Sequence, residues 1–221
     1  MKLTKRLAVL CGELEKCGTF ADVGCDQGYC TLYMLENNLC ERAQFSDISA
    51  KSLKKAEELL FPYIREGKAE PVVCAGLGKI TPDAELVLIA GMGGEEIVRI
   101  LLDGFRPPKL LLQPMKNTEK VRACLLKNGY EILRDYTFFA DGKFYDLIKA
   151  KRGGAPQRYT EDMLLFGRDN LLSPRSDFIK KLERDISDNR AWLVSAKSGR
   201  EEVLARLAKL EEIYDETCRR L

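Results

Sequence analysis

The segment from Phe20 to Tyr29, which reads FADVGCDQGY, constrains the fold of this chain more than any other part. A short apolar run ends in Gly24, and the turn that follows contains Asp26 and Gly28. A second apolar run ends in Asp47, nineteen residues after Gly28. A glycine turn after one strand and a carboxylate at the end of the next are typical of a doubly wound α/β sheet with a ribose-bearing cofactor. We therefore predict an α/β fold in which Gly24 approaches the ligand and Asp47 accepts hydrogen bonds from the ribose.

The spacing within this turn indicates which cofactor binds. Dinucleotide sites use a G-x-G-x-x-G turn that presents a helix N-terminus to a pyrophosphate. Here the middle glycine is replaced by a carboxylate, so that the turn reads Gly24-x-Asp26-x-Gly28. An anion at that position repels a pyrophosphate but suits a ligand with an ammonium and a sulfonium group. We predict S-adenosylmethionine as the cofactor, and NAD is the weaker alternative.

Composition excludes several classes of site. The 221 residues include eight cysteines without a C-x-x-C pair and no histidine, so Ser-His and Cys-His nucleophile pairs are excluded and no metal site is expected. Unpaired cysteines in a chain without a secretory signal predict a reducing, cytoplasmic location. There is no run of 18 apolar residues, and no membrane span is expected. The net charge of only +2 gives no global sign of nucleic-acid binding.

Apolar runs and turn signals predict the order of the elements. After an amphipathic helix from Leu3 to Cys17, five strand–helix units lead to a hairpin around the Asp-Gly turn at residues 141–142. The predicted strands are Phe20 to Gly24, Ala43 to Asp47, Ala69 to Cys74, Glu85 to Ala90 and Lys109 to Gln113, and the hairpin strands are Tyr130 to Phe139 and Phe144 to Ala150. A terminal antiparallel hairpin resembles the Rossmann-like sheet of class I S-adenosylmethionine-dependent methyltransferases, whereas dehydrogenase folds usually add a sixth parallel strand.

The C-terminal part reads as a separate helical unit. A Gly-Gly-Ala-Pro linker separates a predicted domain at residues 1–152 from one at 157–221. From residue 179 to residue 214, positions at alternating steps of three and four are apolar except at Asn189 and Arg200, as in a coiled coil. The stripe consists of Ile179, Leu182, Ile186, Leu193, Ala196, Val203, Leu207, Leu210 and Tyr214. We predict two antiparallel helices, Ser176 to Lys197 and Arg200 to Arg220, in a monomer; one continuous helix that forms a dimer is the alternative.

Two segments carry candidate chemistry. Asp26 could hold the cofactor ammonium, face the substrate or cap the following helix. The run Ile89-Ala90-Gly91-Met92-Gly93-Gly94 follows the fourth strand, where open α/β sheets bind ligands, although a tight turn alone would also explain one glycine. Two basic sets could contact phosphate: Lys2, Lys5 and Arg6, and Lys149, Lys151, Arg152 and Arg158.

Together these motifs resemble the TrmK family of bacterial tRNA (adenine-N1)-methyltransferases, which modify adenine 22. The matching stretches are Leu3 to Leu7, Ala21 to Asp26, Ile89 to Gly94, Leu111-Leu112-Gln113-Pro114, Asn128-Gly129-Tyr130, Asp141 to Tyr145 and Phe166-Gly167. The likeness covers nearly the whole chain, and Gly-Met-Gly-Gly combined with Leu-Gln-Pro is its most specific element.

The resemblance implies a Rossmann-like domain that binds S-adenosylmethionine and a helical tail that helps to hold tRNA. By position, Asp26 matches the candidate catalytic acid and Asp47 the ribose-binding acid. The predicted cofactor-binding residues are Asp22, Gly24, Cys25, Asp26, Gly28, Tyr29, Asp47, Ile48, Gly76, Leu77, Ala90, Gly91, Met92 and Gly93. The predicted tRNA contacts are Lys5, Arg6, Lys151, Arg152 and Arg158.

The chain departs from the family pattern at two places. Asp26 is followed by Gln27 rather than histidine, and Cys74-Ala75-Gly76-Leu77 stands where Gly-Asp-Gly-Leu or Gly-Asn-Gly-Leu is typical. The side chain missing at Ala75 would bind the amino group of the cofactor adenine, so that only the main chain of Gly76 and Leu77 remains for that contact. The alternatives to the adenine-N1 function are methylation of another RNA or a small molecule, and an inactive RNA-binding relative.

Overall fold

The structure is a computed structural model that describes residues 3–195 and 198–220. Lys2 of the first basic set, and Ala196 and Lys197 of the predicted helical hairpin, lie outside the described residues. The sheet has seven strands in the order β3-β2-β1-β4-β5-β7-β6. The strands are β1 (Thr19–Val23), β2 (Arg42–Asp47), β3 (Ala69–Val73), β4 (Leu86–Met92), β5 (Lys109–Pro114), β6 (Tyr130–Ala140) and β7 (Lys143–Arg152).

The predicted five parallel strands and terminal hairpin are confirmed, but residues 74–85, all of which the structure describes, lead from β3 to β4 without a helix, so the strand–helix units number four rather than five. Strands β1 to β5 pair in parallel, and β7 adds to β5 in the antiparallel direction and carries β6 at the edge. The strand order reverses between β1 and β4, so the carboxyl ends of these two strands form the topological switch point, where α/β sheets bind ligands.

Helices cover both faces of the sheet because its central strands are apolar on both sides. In β4, Leu86 and Leu88 join the core beneath one helical layer, and Val87 and Ile89 join the core beneath the other. The helices in this part of the chain are α1 (Lys5–Glu13), α2 (Tyr29–Glu36), α3 (Ala50–Arg65), α4 (Gly94–Asp103) and α5 (Thr118–Lys127). Ser49 caps α3, as its position predicts, by accepting a hydrogen bond from the Ser52 amide at 3.3 Å.

The first helix is shorter than predicted. It begins after Thr4, whose hydroxyl accepts a hydrogen bond from the Leu7 amide, and it ends at Glu13 rather than Cys17. The Cys17 amide donates to the Leu39 carbonyl, and the Glu13 carbonyl accepts from Lys149 Nζ at 2.9 Å. Tertiary hydrogen bonds therefore replace the last helical turn that the sequence periodicity favours.

The C-terminal segment forms an antiparallel helical pair, as predicted, and not one continuous helix. Its helices are α6 (Glu161–Phe166), α7 (Arg168–Leu172), α8 (Ser176–Ser195) and α9 (Arg200–Cys218). Gly199 precedes α9 in the left-handed conformation, with φ of +69°. The predicted stripe is shifted at its two ends: Phe178 rather than Ile179 is buried in the core, and Ile213 is buried beside Tyr214, which is partly buried and packs against the same core. Phe166 of α6 and Leu171 of α7 pack against this core.

A buried polar cluster joins α6 and α7 to the sheet. The Arg122 side chain on α5 is fully buried, and its Nε donates to Asp135 of β6 at 2.8 Å. Arg122 Nη1 also donates to the Leu164 carbonyl at 2.9 Å, and Asn170 Oδ1 accepts from the Thr137 amide at 2.9 Å. These bonds fix the start of the helical tail against the edge of the sheet.

Candidate functional site

The glycine turn after β1 is shaped by its neighbours. Gly24 has φ of +73°, and a Cβ on this residue would overlap the terminal methyl of Met92. The amides of Gly24 and Cys25 both donate to the Ser46 carbonyl, at 2.8 and 2.9 Å. The turn is therefore tied to β2 on one side and covered by the loop after β4 on the other.

Asp47 ends β2 at the edge of this turn. Its Oδ1 accepts a hydrogen bond from the Ser49 amide at 2.8 Å, which orients the carboxylate. No bond to Oδ2 is recorded within the described residues, so this oxygen can accept from a ligand. The neighbouring Ile48 side chain is 76% exposed and flanks the same opening.

A cavity of about 490 Å³ opens beside these residues at the carboxyl ends of the strands. Six predicted cofactor residues line it: Gly24, Asp47, Ile48, Gly76, Leu77 and Met92. The rest of its wall comes from Val23, Cys74, Ala75, Gly78, Glu96, Arg99, Ile100, Asp103 and Gly104. Its volume falls within the range of pockets that hold small molecules and cofactors. The α4 residues in this wall were not predicted from the sequence, because Glu96, Arg99 and Asp103 read as solvated surface and Ile100 reads as core.

The far side of the cavity depends on Gly76. It has φ of +55°, and a Cβ there would lie 2.8 Å from Ile100 Cγ1. The main chain of the loop that contains Gly76 therefore packs directly on α4. Ala75 is exposed, so this loop offers the cavity main-chain groups and the Cys74 thiol, which donates to the Gly76 carbonyl at 3.4 Å.

Asp22 lies within β1 and beneath the turn rather than in the cavity. It is 5% exposed, and its carboxylate accepts a hydrogen bond from the Thr31 hydroxyl at 3.0 Å. Burial raises the pKa of Asp22 from 3.8 to about 6, against the lowering effect of the bonds from Thr31. Burial likewise raises the pKa of the Cys25 thiol, and nearby carboxylates add to the shift, so this cysteine is protonated and unreactive.

Asp26 projects from the middle of the turn. It is exposed and adopts φ of +49°, a left-handed conformation that aspartate tolerates better than most residues. No hydrogen bond or ion pair of its side chain is recorded within residues 3–195 and 198–220, and α2 is instead preceded by Gly28. The helix-capping alternative for Asp26 is therefore wrong.

The remaining residues of the turn have structural contacts. A Cβ on Gly28 would lie 3.0 Å from that of Ala56, so this glycine allows α2 to approach α3. The Tyr29 hydroxyl donates to Gln27 Oε1 at 3.2 Å. Neither Gly28 nor Tyr29 lines the cavity.

The glycine loop, Gly91 to Gly94, comprises the last two residues of β4, Gly93 and the first residue of α4, and its contacts are more specific than a tight turn requires. The pairing of β4 with β5 shifts register between Ala90 and Met92, and Gly91 between them has φ of +82°. A Cβ on Gly94 would overlap the carbonyl oxygen of Asn117, and the Gly94 amide donates to the Lys116 carbonyl at 2.8 Å. The loops after β4 and β5 therefore form one packed layer, in which Ala90, Gly91 and Gly93 adjoin the cavity without lining it.

Arg6 of α1 packs against these two loops. Its Nε donates to Gln113 Oε1 at 2.7 Å, and its amide donates to Asp141 Oδ2 at 3.1 Å. Its guanidinium carbon lies 5.6 Å from the centre of the Tyr145 ring. Gln113, Asp141 and Tyr145 fall in stretches that carried the family resemblance, but the sequence alone assigned them no place in the site.

The predicted basic residues do not form one surface. Lys5 and Arg6 lie at the carboxyl end of the sheet, whereas Lys151 pairs with Lys109 at the opposite end, where the Arg152 amide donates to the Pro108 carbonyl. The antiparallel direction of β7 causes this separation. Lys151 also forms an ion pair with Glu131 at 3.0 Å, and Arg158 is exposed shortly after the linker.

Comparisons with known proteins agree with this architecture. The sequence pattern of the methyltransferase domain family matches residues 3–148. The tRNA (adenine(22)-N(1))-methyltransferase of Bacillus subtilis (strain 168) is 26% identical over 208 residues, which cover 86% of this chain and 84% of that protein. The structure of M. capricolum TrmK with S-adenosyl-homocysteine has a TM-score of 0.88 at 22% identity and covers 98% of this chain and 100% of that chain. The B. subtilis m1A22 tRNA methyltransferase TrmK has a TM-score of 0.82 at 23% identity, with coverage of 96% and 99%.

These relatives confirm the resemblance to TrmK that the motifs predict. Among the described helices, none is both long and apolar enough to cross a membrane. The family pattern spans about two thirds of the sequence, from α1 to β7, and includes the turn after β1, Asp47 and the glycine loop after β4. The chain therefore belongs to the methyltransferase domain family.

Proposed function

We propose that this protein is a cytoplasmic enzyme that transfers a methyl group from S-adenosylmethionine to N1 of an adenine, at position 22, in tRNA. The observation that carries the proposal is the cavity at the switch point, which is lined by Gly24, Asp47 and Gly76. The named relatives share this fold over nearly the whole chain, and the first of them is a tRNA (adenine(22)-N(1))-methyltransferase.

The residues present fit S-adenosylmethionine. Asp47 has an oriented carboxylate with one oxygen available for a ribose hydroxyl. The cavity wall formed by Leu77 and Ile100 is apolar and suits the adenine ring, while Gly24 leaves room for the close approach of a ligand to the main chain. The cofactor supplies an electrophilic methyl group, and its acceptance by adenine N1 leaves the base positively charged.

The protein contributes alignment and electrostatics more than proton transfer. N1 of adenine already carries an in-plane lone pair, so the reaction needs no general base. Asp26 provides a negative charge at the carboxyl end of β1, with no ion pair to another described residue, and there it stabilises positive charge that develops on the base. A paired adenine hides N1, so the target base must be turned out of its stack before it reaches this site.

The role of Asp26 is tested by Asp26→Asn, which keeps the size of the side chain and removes its charge. We expect turnover on tRNA to fall by at least about 100-fold, as when other transition-state electrostatic groups are removed. The thermal midpoint should stay unchanged, because the Asp26 side chain is exposed. Calorimetry separates the two predicted roles of Asp26: unchanged affinity for S-adenosylmethionine indicates the catalytic role, and a loss of affinity indicates that Asp26 holds the cofactor ammonium. The matched control is Gln27→Ala at the next exposed position. Most of the wild-type turnover in Asp26→Asn would refute the catalytic role.

Two alternatives remain distinguishable by experiment. Methylation of another RNA or a small molecule would give cofactor binding without 1-methyladenosine in tRNA. An inactive RNA-binding relative, which the missing side chain at Ala75 favours, would not bind S-adenosylmethionine. The proposal also includes a monomeric state and the absence of a metal. Its tRNA contacts are Lys5, Arg6, Lys151, Arg152 and Arg158.

A further inference from the structure

Arg6 is a positively charged group that three elements hold in one place. Gln113 at the end of β5 accepts from its Nε, and Asp141 in the β6–β7 turn accepts from its amide. Gln113 is fully buried, and its Nε2 donates to the Pro114 carbonyl at 3.0 Å, so its Oε1 is fixed in position. The ring of Tyr145 restricts the movement of the guanidinium on one side. Arg6 is therefore oriented before any ligand binds.

The two terminal nitrogens of Arg6 are available to a ligand. Within the described residues, no carboxylate lies within 4.0 Å of its guanidinium, and neither Nη1 nor Nη2 has a recorded hydrogen bond. Nη2 lies 2.9 Å from the place that a Cβ on Gly91 would occupy, so the charge rests directly on the glycine loop. A half-buried guanidinium that presents a pair of free donors matches a phosphate or carboxylate group.

Lys116 lies against the same loop two residues farther along, at Gly93. Its Cε is 3.4 Å from the place that a Cβ on Gly93 would occupy, and its carbonyl is held by the Gly94 amide. Glu95 is near enough to be influenced by Lys116, but the ion pair of Glu95 is with Lys120. Along the described chain, no ion pair of Lys116 is recorded. Arg6 and Lys116 thus both lie against the loop formed by Gly91, Met92 and Gly93.

We propose that Arg6 and Lys116 form a clamp for the two phosphodiester groups that flank the target adenosine. The inference rests on the proposed function, and it assigns Lys116 to the substrate site and Gln113 and Asp141 to the positioning of Arg6. Two cations against the same glycine loop, one at Gly91 and one at Gly93, hold the backbone of an extruded nucleotide while its base enters the site. Arg6 contributes a planar guanidinium that is held in one orientation, and Lys116 contributes an ammonium on a flexible side chain.

The experiment measures the salt dependence of tRNA binding by the full chain, with an unmodified tRNA transcript and saturating S-adenosyl-homocysteine. The variants are Arg6→Ala, Lys116→Ala and the double variant, with Arg6→Lys as the conservative change. Arg42→Ala is the matched control, because Arg42 is exposed at the amino end of β2 and pairs with Asp83. The slope of log affinity against log salt concentration is negative, and each phosphate contact that is lost reduces its magnitude by about 0.7–0.9.

We expect the magnitude of the slope to fall by about that amount in each single variant and tRNA affinity to fall several-fold. The losses should add in the double variant. Arg6→Lys should keep the slope but lose affinity, and Arg42→Ala should resemble the wild type. Unchanged slopes would overturn the clamp. If Arg6→Ala weakened S-adenosylmethionine binding and left the slope intact, its anion would be the cofactor carboxylate, which also overturns the clamp. Lys116→Ala alters an exposed side chain and keeps the test valid even if Arg6→Ala is unstable.

The proposed function can fail separately from the clamp. Wild-type protein that binds tRNA but forms no 1-methyladenosine would refute the adenine-N1 activity while the slopes still report on the clamp. Wild-type methylation with unchanged slopes in both variants would refute the clamp alone.

Discussion

Gly24 links the turn after β1 to the loop after β4 at the scale of a single residue. Its positive φ strains any other L-residue, and its missing side chain gives space to Met92. Both constraints act at the mouth of the cavity. A substitution there should therefore alter ligand binding as well as stability.

We predict that Gly24→Ala weakens S-adenosylmethionine binding by at least tenfold, because Met92 must move into the cavity. Calorimetric titration measures the dissociation constant. Gly129→Ala is the matched control, since Gly129 has φ of +75° but open space around its Cβ position, so it introduces the same backbone strain without the overlap. Equal cofactor affinity in the two variants would contradict the role of the Met92 contact.

Asp22 makes stability depend on pH in a defined direction. Its pKa is raised to about 6, so the folded state keeps a proton that the unfolded chain loses near pH 4. The folded state is therefore destabilised as the pH rises through this window. The bonds from Thr31 lower the pKa of Asp22 and so oppose this shift, but the larger effect of burial sets its sign.

We predict that Asp22→Asn gains stability relative to the wild type as the pH rises from 4 to 7, by at most about 3 kcal/mol. Chemical denaturation at several pH values measures the difference in the free energy of unfolding. A constant difference across this range would show that Asp22 titrates normally in the folded protein.

Residue roles were predictable from sequence only where backbone conformation or position in the topology decides them. Asp47 and Gly24 could be assigned because any doubly wound sheet places them at the switch point. The positions of Gln113 and Asp141 against Arg6 depend on contacts more than 100 residues apart along the chain, which no local pattern encodes.

At the scale of elements, the buried pair of Arg122 and Asp135 connects α5, β6 and the start of the tail. Both side chains are fully buried. Burial raises the pKa of Asp135, and Arg122 opposes that shift, so the carboxylate depends on its partner to stay charged. Removal of one partner leaves an uncompensated charge in the interior.

We predict that Arg122→Leu lowers the free energy of unfolding by about 3–5 kcal/mol, as measured by chemical denaturation. The control is Lys120→Ala, which removes an exposed ion pair on the same helix and should leave the midpoint unchanged. A small effect of Arg122→Leu would mean that the tail is held by its apolar contacts alone.

The sequence predicts elements well where apolar periodicity is undisturbed, as in β4 and α8. It fails where tertiary hydrogen bonds compete, as at the end of α1 beyond Glu13. Arg122 was also unpredictable, because an arginine in a polar helix reads as a solvated residue and only the docking of α6 and α7 buries it.

At the scale of the whole molecule, the α8–α9 pair projects a tip that carries exposed apolar side chains. Trp192 and Val194 are 44% and 88% exposed, while the inner half of the pair has its own core.

The division into domains at 1–152 and 157–221 remains a prediction, as does the contact of the tail with tRNA. The distance between Arg6 and Lys151 on the sheet means that one short RNA segment cannot contact both.

We predict that a shortened protein, with residues 190–206 replaced by a Gly-Ser turn, has a several-fold higher KM for tRNA. The bond between Arg206 and Asn189 places the two cut ends side by side, and the inner core from Phe178 to Ile186 is preserved. Affinity for S-adenosylmethionine serves as the internal control and should not change. An unaltered KM for tRNA would exclude the tip from substrate binding.

The account as a whole depends on adenine N1 of tRNA as the methyl acceptor. The most direct test incubates the purified protein with labelled S-adenosylmethionine and two unmodified tRNA transcripts, one with adenine and one with guanine at position 22. The products are identified by nucleoside mass spectrometry. We predict 1-methyladenosine in the first transcript and no incorporation in the second. Absence of 1-methyladenosine from the first, or equal incorporation into both, would contradict the proposed function.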